Sequence, residues 1–227
     1  MLGQIRAIIY AIVFIISVSI LIFYMMFAKK NRQARKLWGK IQRLAVGFKI
    51  KKVGEFDKEA KLLIINHQSM LDIIVLEEIY PLDLCWIAKK ELSKTPFIDN
   101  CIKYAKMITI DRNNPRELVK IIKESKEKIE EGRVIAIFPE GTRGRGTNLL
   151  KFQNGAKAIA EKLNLKVQPI VITNTRNIMD TKKIMINNGD VSVIILDSID
   201  PKQDPNWYEN ARENMKKALE EELNSKI

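Results

Sequence analysis

The chain has a single histidine, His67, and a carboxylate, Asp72, follows it five positions later in the stretch NHQSMLD (66–72). A carboxylate that holds one imidazole nitrogen orients the ring and raises the basicity of the other nitrogen. Such a pair can take a proton from a hydroxyl group. A purely structural alternative also fits, because Ser69 and Asp72 match a capping box at the start of a helix. The capping box explains Asp72 but gives His67 no role.

A second stretch with chemically useful side chains is FPEGTRGRG (138–146). Its proline and glycines favour an open turn. Arg143 and Arg145 project from this turn, and a guanidinium there can bind a phosphate with two parallel hydrogen bonds. A nucleotide P-loop is excluded, because the required Gly-Lys-Ser/Thr is missing. The alternative is a solvent-exposed turn that carries two surface arginines.

The elements that must position these residues alternate between strand and helix. This alternation predicts an α/β domain with a mixed, partly parallel sheet flanked by helices. His67 stands at the carboxyl end of an apolar run, where the sites of such sheets collect. The predicted strands are Leu62–Asn66, Leu84–Ala88, Met107–Ile110, Val134–Phe138, Val167–Ile172 and Val191–Leu196, and the predicted helices are Leu71–Ile79, Pro115–Glu130, Asn154–Leu163 and Trp207–Glu222.

Residues 7–28 form an uncharged apolar segment. As a helix this segment would extend about 33 Å, which is enough to cross the hydrocarbon core of a bilayer. The basic residues of 29–36 follow directly and predict that the C-terminal side faces the cytoplasm. A cleaved signal peptide is the alternative, but the apolar run is long and the basic cluster lies on the wrong flank.

Residues 34–49 predict a basic amphipathic helix. Leu37, Ile41, Leu44 and Phe48 fall on one helical face, and lysines and arginines surround that face. Such a helix suits the headgroup region of an anionic membrane. The alternative is a helix packed on the domain with its lysines in water, and one helix could do both.

The net charge of +12 belongs almost entirely to the N-terminal part of the chain. Residues 1–54 hold eleven Lys and Arg and no acidic residue, which leaves 28 basic and 27 acidic residues in the rest. A nucleic-acid-binding protein usually carries its charge on the folded domain, so this distribution argues for a membrane surface instead. We therefore predict membrane-anchoring helices over residues 1–52 and an α/β domain over 53–227.

Together, NHQSMLD and FPEGTR resemble the two signature blocks of the lysophospholipid acyltransferases, the 1-acyl-glycerol-3-phosphate acyltransferase family. Asp99 and Lys106 stand where the family pattern has glycine, in a region that surrounds the acceptor or the acyl chain. Four further stretches resemble family blocks in the expected order: AKKELSKTPF (88–97), ITIDR (108–112), KFQNGAKAIA (151–160) and VQPIVI (167–172).

The resemblance implies a glycerol-3-phosphate acyltransferase-like fold and the transfer of an acyl group from acyl-CoA or acyl carrier protein to the sn-2 hydroxyl of 1-acyl-glycerol-3-phosphate. The product would be phosphatidic acid, for phospholipid synthesis at the cytoplasmic membrane. His67 would be the general base and Asp72 its orienting partner. The implied substrate-binding residues are Glu140, Gly141, Thr142, Arg143, Lys89 and Arg112.

No metal and no tightly bound cofactor is implied, and the partners would be membrane lipids, the acyl donor and an anionic membrane surface, without nucleic acid. Lys89 has the alternative role of a solvated lysine at a strand end. Two other functions stay open. One is acylation of another lysolipid, such as a lyso-ornithine lipid, and the other is a non-catalytic, basic, membrane-anchored binding protein.

Overall fold

The computed structural model describes residues 2–28, 30–95, 97–111, 114 and 116–225, so the predicted site residue Arg112 lies outside the described residues. The helices are α1 (Leu2–Phe27), α2 (Arg32–Val46), α3 (Leu71–Ile79), a 3-10 helix (Lys90–Lys94), α4 (Ile98–Tyr104), α5 (Glu117–Glu130), α6 (Asn154–Leu163), α7 (Thr175–Ile178) and α8 (Trp207–Asn224). The strands are β1 (Phe48–Val53), β2 (Leu62–Ile65), β3 (Leu84–Lys89), β4 (Ile108–Ile110), β5 (Val134–Ile137), β6 (Val167–Thr173), β7 (Met179–Asp180), β8 (Met185–Ile186) and β9 (Gly189–Ile195).

The central feature of the described chain is a seven-stranded sheet with the order β1-β9-β6-β2-β5-β3-β4. The five strands from β6 to β4 are parallel to their neighbours, whereas β9 is antiparallel to β6 and parallel to β1. The predicted mixed, partly parallel sheet is confirmed. The loops that carry the candidate site follow β2, β5 and β6 at the carboxyl-end edge of this sheet.

Strand β2 is buried on both faces, as its unbroken apolar sequence LLII predicts for a central parallel strand. Because side chains alternate along a strand, Leu63 and Ile65 join the core with α3, and Leu62 and Ile64 join the core with α6 and α8. The catalytic candidates follow directly from this rigid strand.

The predicted amphipathic helix over 34–49 is wrong at its C-terminal end. Gly47 adopts the left-handed conformation with φ of 81° and ends α2 at Val46. Phe48 therefore starts β1, where it is buried and lies opposite Gly189 of β9. Residue 48 matched the helical face by spacing, but the glycine cap turns the chain before it. The predicted division after residue 52 falls inside β1.

The two N-terminal helices pack against the domain through polar and small side chains. In α2 the buried residues are Arg35, Gly39, Gln42 and Val46. The Tyr10 hydroxyl of α1 donates to the Gln42 side chain over 2.8 Å. The Arg35 guanidinium donates to Glu77 of α3 over 2.6 Å, and it also pairs with Asp83. Because the polar face of α2 is turned inward, its packing leaves the apolar stripe outside.

The outward faces of both helices are apolar. Leu37, Ile41 and Leu44 of α2 are exposed. Among the described residues, Gly3–Phe27 is a helix long and apolar enough to cross a membrane. The exposed large apolar residues of α1 include Ile5, Ile8, Ile9, Ile12, Ile15, Ile16, Ile20, Phe23 and Phe27. The amphipathic helix thus both packs on the domain and presents an apolar face to its surroundings.

Candidate active site

The candidate catalytic pair lies at the carboxyl end of β2. His67 Nδ1 is 2.8 Å from Asp72 Oδ2, and Asp72 is fully buried in the first turn of α3. The His67 side chain is 13% exposed and borders a cavity. With Nδ1 directed to the carboxylate, Nε2 is the nitrogen left for a substrate. The imidazole and the carboxylate, which their spacing in the sequence singled out, are therefore in contact.

Asp72 is held by four donors. Oδ2 accepts bonds from the backbone N–H groups of Gln68 and Ser69 at 2.7 and 2.9 Å, in addition to the His67 contact. Oδ1 accepts a bond from the Thr175 hydroxyl at 2.5 Å. The bond from the Ser69 N–H matches one half of a capping box, but the Ser69 hydroxyl accepts the N–H of Leu71 instead of that of Asp72. Asp72 thus binds the backbone before the helix and the imidazole with the same oxygen.

The aromatic rings of Phe138 and Trp86 support the imidazole from one side. The His67 and Phe138 rings are stacked with centroids 3.8 Å apart and an angle of 12° between their planes. Trp86 stacks on Phe138 at 5.3 Å, and its Nε1–H donates to Glu77 over 2.8 Å. Because each ring in this stack is fixed by the next, the plane of the imidazole is fixed relative to the sheet.

Glu140 connects the loop of residues 138–146, called here the arginine loop, to the histidine. Its Oε1 accepts the backbone N–H of His67 at 2.7 Å, and its Oε2 accepts the backbone N–H of Leu150 at 2.8 Å. Burial raises the pKa of Glu140, although these two N–H donors act in the opposite direction. The Gly144 N–H donates to the His67 carbonyl at 2.7 Å. Glu140 was predicted to bind substrate, yet both of its oxygens contact the backbone of the protein.

A cavity of about 540 Å³ borders His67. Phe14, Val18, Leu21 and Met25 of α1 form part of its apolar wall. Several predicted site residues line the same cavity: Lys89, Gly141, Thr142 and Arg143. The structure therefore brings the histidine, the arginine loop and the N-terminal helix together around one space, whereas Glu140 lies behind the loop.

The chain is similar to known acyltransferases. A family model described as Acyltransferase matches residues 24–173. A 1-acyl-sn-glycerol-3-phosphate acyltransferase from Helicobacter pylori is 41% identical over 224 residues, which cover 95% of this chain and 92% of that protein. The chain belongs to the acyltransferase family. The resemblance read from the two signature stretches is thus confirmed.

More distant relatives show how far the similarity extends. A yeast (Saccharomyces cerevisiae) 1-acyl-sn-glycerol-3-phosphate acyltransferase is 32% identical over 164 residues, which are 70% of this chain and 54% of the yeast protein. The crystal structure of the 1-acyl-sn-glycerophosphate acyltransferase PlsC from Thermotoga maritima superimposes with a TM-score of 0.79 at 22% identity, covering 96% of this chain and 95% of that one. The two chains share their fold, including the helices that precede the sheet.

The cavity of this acyltransferase is bordered by basic residues that sequence analysis missed. Arg176 of α7 and Lys182 of the β7–β8 turn both line it. Arg176 Nη1 donates to the Gly144 carbonyl over 2.9 Å, and Arg143 Nη1 donates to the Thr181 hydroxyl over 3.3 Å. The arginine loop is therefore attached to the α7–β8 segment, and together they form a positively charged rim.

The turn that carries Lys182 is ordered by a buried carboxylate. Asp180 Oδ1 accepts the backbone N–H groups of Lys182 and Lys183 at 2.9 and 3.2 Å. Burial acts to raise the pKa of Asp180, but these two donors and Arg176 lower it below its usual value. Lys182 lines the cavity and Lys183 does not, although both side chains are exposed.

A signal for these missed residues was present in the sequence. Thr175 and Arg176 follow the carboxyl end of β6 as His67 follows the end of β2. The rule that sites collect at carboxyl ends, applied to β6 as well, would have singled them out. Their pairing with particular partners could not be read, because Thr175 and Asp72 are 103 positions apart.

Lys89 keeps both of its sequence-based interpretations. It lines the cavity at the end of β3, and its ammonium forms an exposed ion pair with Glu91 at 3.0 Å. Exposed pairs of this kind contribute about 0–1 kcal/mol, so the pair is easily exchanged for a substrate phosphate. The contact with Glu91 does not remove Lys89 from the candidate phosphate-binding residues.

The described residues contain no group of three or more His, Cys, Asp or Glu side chains that could hold a metal ion. The expectation of a metal-free reaction remains a prediction.

Burial raises the pKa of the Cys101 thiol, which borders the cavity, to about 11. At neutral pH this thiol stays protonated and is a poor nucleophile.

Proposed function

We propose that the protein transfers an acyl group from a thioester of CoA or acyl carrier protein to the sn-2 hydroxyl of 1-acyl-glycerol-3-phosphate, which yields phosphatidic acid. The observation that carries the proposal is the contact of His67 with Asp72 at the edge of an apolar cavity whose rim is basic. The H. pylori relative, whose name gives this activity, supports the choice of acceptor.

His67 acts as the general base in this mechanism. The acceptor hydroxyl gives its proton to His67 Nε2 while its oxygen attacks the thioester carbonyl carbon. The C–O bond forms and the C–S bond breaks, and the proton then passes from Nε2 to the departing sulfur, which leaves as a thiol. Asp72 stabilises the imidazolium between the two proton transfers through its contact with Nδ1.

The acceptor phosphate binds at the basic rim of the cavity. Arg143 presents a planar fork suited to phosphate oxygens, and Arg176 and Lys182 add positive charge from the neighbouring segment. Thr142 and Gly141 line the same part of the cavity, beside the reacting hydroxyl. We assign Lys89 to the opposite side of the headgroup, where it exchanges Glu91 for the ligand.

The acyl chain of the donor occupies the apolar part of the cavity. Val18, Leu21 and Met25 from α1, with Ile102 from α4, give this part a wall without charge. Burying a long alkyl chain is favourable by about 0.8 kcal/mol for each CH₂ group. This contact area would supply much of the binding energy of a donor whose reactive carbonyl is small.

The protein is associated with a membrane, and we propose the cytoplasmic leaflet as its location. Contacts of α1 with the domain extend from Arg6, which donates to the Asn188 side chain, to Met25, so α1 lies along the domain. The apolar faces of α1 and α2 then enter the same leaflet. This placement sets the cavity beside the lipid acceptor and leaves the sheet in the cytoplasm with the soluble donor.

An assay of purified protein with a labelled acyl donor and a panel of lysolipids tests the proposal. Lysophosphatidic acid should be acylated in preference to phosphate-free acceptors. The departure from the family glycine at Asp99 favours a second candidate, acylation of another lysolipid. Faster turnover of lyso-ornithine lipid than of lysophosphatidic acid would replace the first proposal with the second.

The variant His67→Ala separates catalysis from simple binding. Removal of a general base lowers turnover by about 10²- to 10⁴-fold. Sedimentation with anionic vesicles should be unchanged, because His67 lies away from the exposed apolar faces of α1 and α2. Full activity in this variant would contradict the mechanism. A wild-type protein that acylates no lysolipid of the panel would leave the non-catalytic binding protein as the better description.

A further inference from the structure

A second cavity, of about 320 Å³, lies next to the candidate active site. Ile87, Phe138 and Gly141 line both cavities, so the turn at Phe138–Gly141 separates them. His67 stacks directly on Phe138, at 3.8 Å between ring centroids. A ligand group in the second cavity would therefore be separated from His67 only by the side chain of Phe138.

We propose that this second cavity binds the pantetheine arm of the acyl donor, an inference that rests on the proposed acyl transfer. Pantetheine is a flexible chain with two amides and a geminal dimethyl group. Its lining combines the same two kinds of group, the apolar residues Leu118 and Ile121 of α5 and the amide-bearing residues Asn114, Gln153 and Asn154. The amides suit the polar groups of the arm, and the apolar side chains suit its methyl groups.

The two cavities differ in the charged residues that are described among their linings. No Lys or Arg in the described part of the chain lines it, and the carboxylate of Asp111 does. The catalytic cavity, in contrast, is lined by Arg143, Arg176 and Lys182. The basic residues of the catalytic cavity suit the anionic acceptor headgroup, which leaves the second cavity for the donor.

The position of the second cavity also fits a soluble donor. None of the described residues of α1 or α2 lines it, whereas α1 contributes Phe14 and Val18 to the catalytic cavity. The second cavity therefore lies on the side of the turn away from the membrane helices. A thioester extends in two directions from its carbonyl, with the acyl chain on one side and the arm on the other. The two cavities extend from the Phe138–Gly141 turn in the same manner.

The experiment compares three donors that share one acyl chain: the CoA thioester, the acyl carrier protein thioester and the thioester of N-acetylcysteamine. The first two contain the whole pantetheine arm, and the third lacks most of it. Comparing CoA with the carrier protein separates the arm from the nucleotide and protein parts of the natural donors. Any lysolipid that the wild-type protein acylates serves as acceptor, so failure on lysophosphatidic acid is observed separately.

The variant Gly155→Leu narrows the second cavity. Gly155 lines it, and a Cβ atom at this position meets no heavy atom within 4 Å. We expect KM to rise about tenfold for both natural donors, equivalent to about 1.4 kcal/mol of binding, and to change less than about twofold for the N-acetylcysteamine thioester. Lys162→Leu, which adds the same side chain to an exposed position of α6, is the matched control and should leave all three donors unchanged.

The variant Asn154→Ala removes one amide without adding volume. No side-chain cap bond is present at the start of α6, so this variant should fold normally. We expect a smaller rise of KM, about three- to tenfold, restricted again to the donors with the full arm. Equal losses with all three donors, an effect on CoA without an effect on the carrier protein, or no effect of either variant would each overturn the proposal.

Discussion

The carboxylate of Glu140 accepts the backbone N–H of His67 at 2.7 Å and so connects two motifs 73 positions apart in the chain. This bond gives Glu140 a role in positioning the catalytic loop. We expect Glu140→Ala to lower stability by about 1–3 kcal/mol, because two buried N–H groups lose their acceptor. The same variant should lower kcat, since the backbone of His67 would shift. Thermal unfolding and steady-state kinetics measure the two effects, and wild-type values in both would refute the role.

The ionisation of Glu140 makes a separate prediction about pH. Because burial raises its pKa, the folded protein binds this proton more tightly than the unfolded chain does. The stability of the wild type relative to Glu140→Gln should therefore fall as the pH rises through the raised pKa. Unfolding of both proteins between about pH 4 and 8 tests this, because the ordinary pKa of a glutamate side chain is about 4.3. A difference that grows with rising pH would contradict it.

Thr175 fixes the second oxygen of Asp72. Thr175→Val keeps the shape of the side chain and removes the hydroxyl. We expect kcat to fall about tenfold, since a hydrogen bond to a charged group contributes about 1.5–3 kcal/mol and part of it orients the imidazole. Thr175→Ser retains the hydroxyl and should restore most of the activity. Similar rates for the valine and serine variants would show that Thr175 only packs.

Neighbouring lysines in the β7–β8 turn provide a matched pair for the acceptor site. Lys182→Ala should raise KM for lysophosphatidic acid about fivefold with little change in kcat, because a phosphate contact contributes to ground-state binding. Lys183→Ala removes the same charge outside the cavity and should not change KM. Vesicle binding of the two variants should be equal. If both variants raise KM by the same factor, the effect comes from general membrane electrostatics.

The apolar stripe of α2 should contribute to membrane binding. Leu44 is 65% exposed, so Leu44→Gln would remove apolar contact with the bilayer and leave the domain intact. We expect the affinity for anionic vesicles to fall by about 1.5–3 kcal/mol, the transfer free energy of such a side chain. Lys40→Gln on the same helix is the control for charge. The loss of vesicle affinity in Lys40→Gln should diminish at high salt, whereas the loss in Leu44→Gln should not. Unchanged binding of Leu44→Gln would place this face away from the lipid.

Lys106 stands where the family pattern has glycine, and its φ of 52° is in the left-handed region that glycine adopts without strain. We expect Lys106→Gly to be neutral or to raise stability by up to about 1 kcal/mol. Activity should be unchanged, since the backbone conformation already matches that of the glycine. A clear loss of stability in thermal unfolding would mean that the lysine side chain contributes contacts of its own.

Sequence analysis predicted the helices and strands whose formation depends mainly on neighbouring residues in the chain. The apolar runs of β2, β5 and β6 and the periodic helices α3, α6 and α8 were predicted within a few residues. The sequence FKIKKV of β1 predicts no strand, because an edge strand rich in lysine has no continuous apolar run. Its first two residues, Phe48 and Lys49, fall inside the predicted helix over 34–49. The short elements α4, α7, β7 and β8 depend on tertiary contacts and gave no signal.

The candidate site divides in the same way. His67 and Asp72 meet because a loop and one helical turn fix their distance, which spacing can show. The donors from α7 reach Asp72 and the arginine loop only through the order of strands in the sheet, because β6 is adjacent to β2. A single sequence contains no direct record of that order. The sequence therefore shows that Thr175, Arg176 and Lys182 can form hydrogen bonds or carry charge. It does not show which residues they contact.

Helix α1 has two functions. Its outer face is an exposed apolar surface, and its inner face, at Val18, Leu21 and Met25, is a wall of the catalytic cavity. This double use limits protein engineering. A shortened, water-soluble version made by deleting α1 would lose the enclosure of the acyl chain together with the anchor. Solubility would have to be obtained by replacing residues on the outward face, such as Ile9, Ile16 and Phe23, while the inward face is kept.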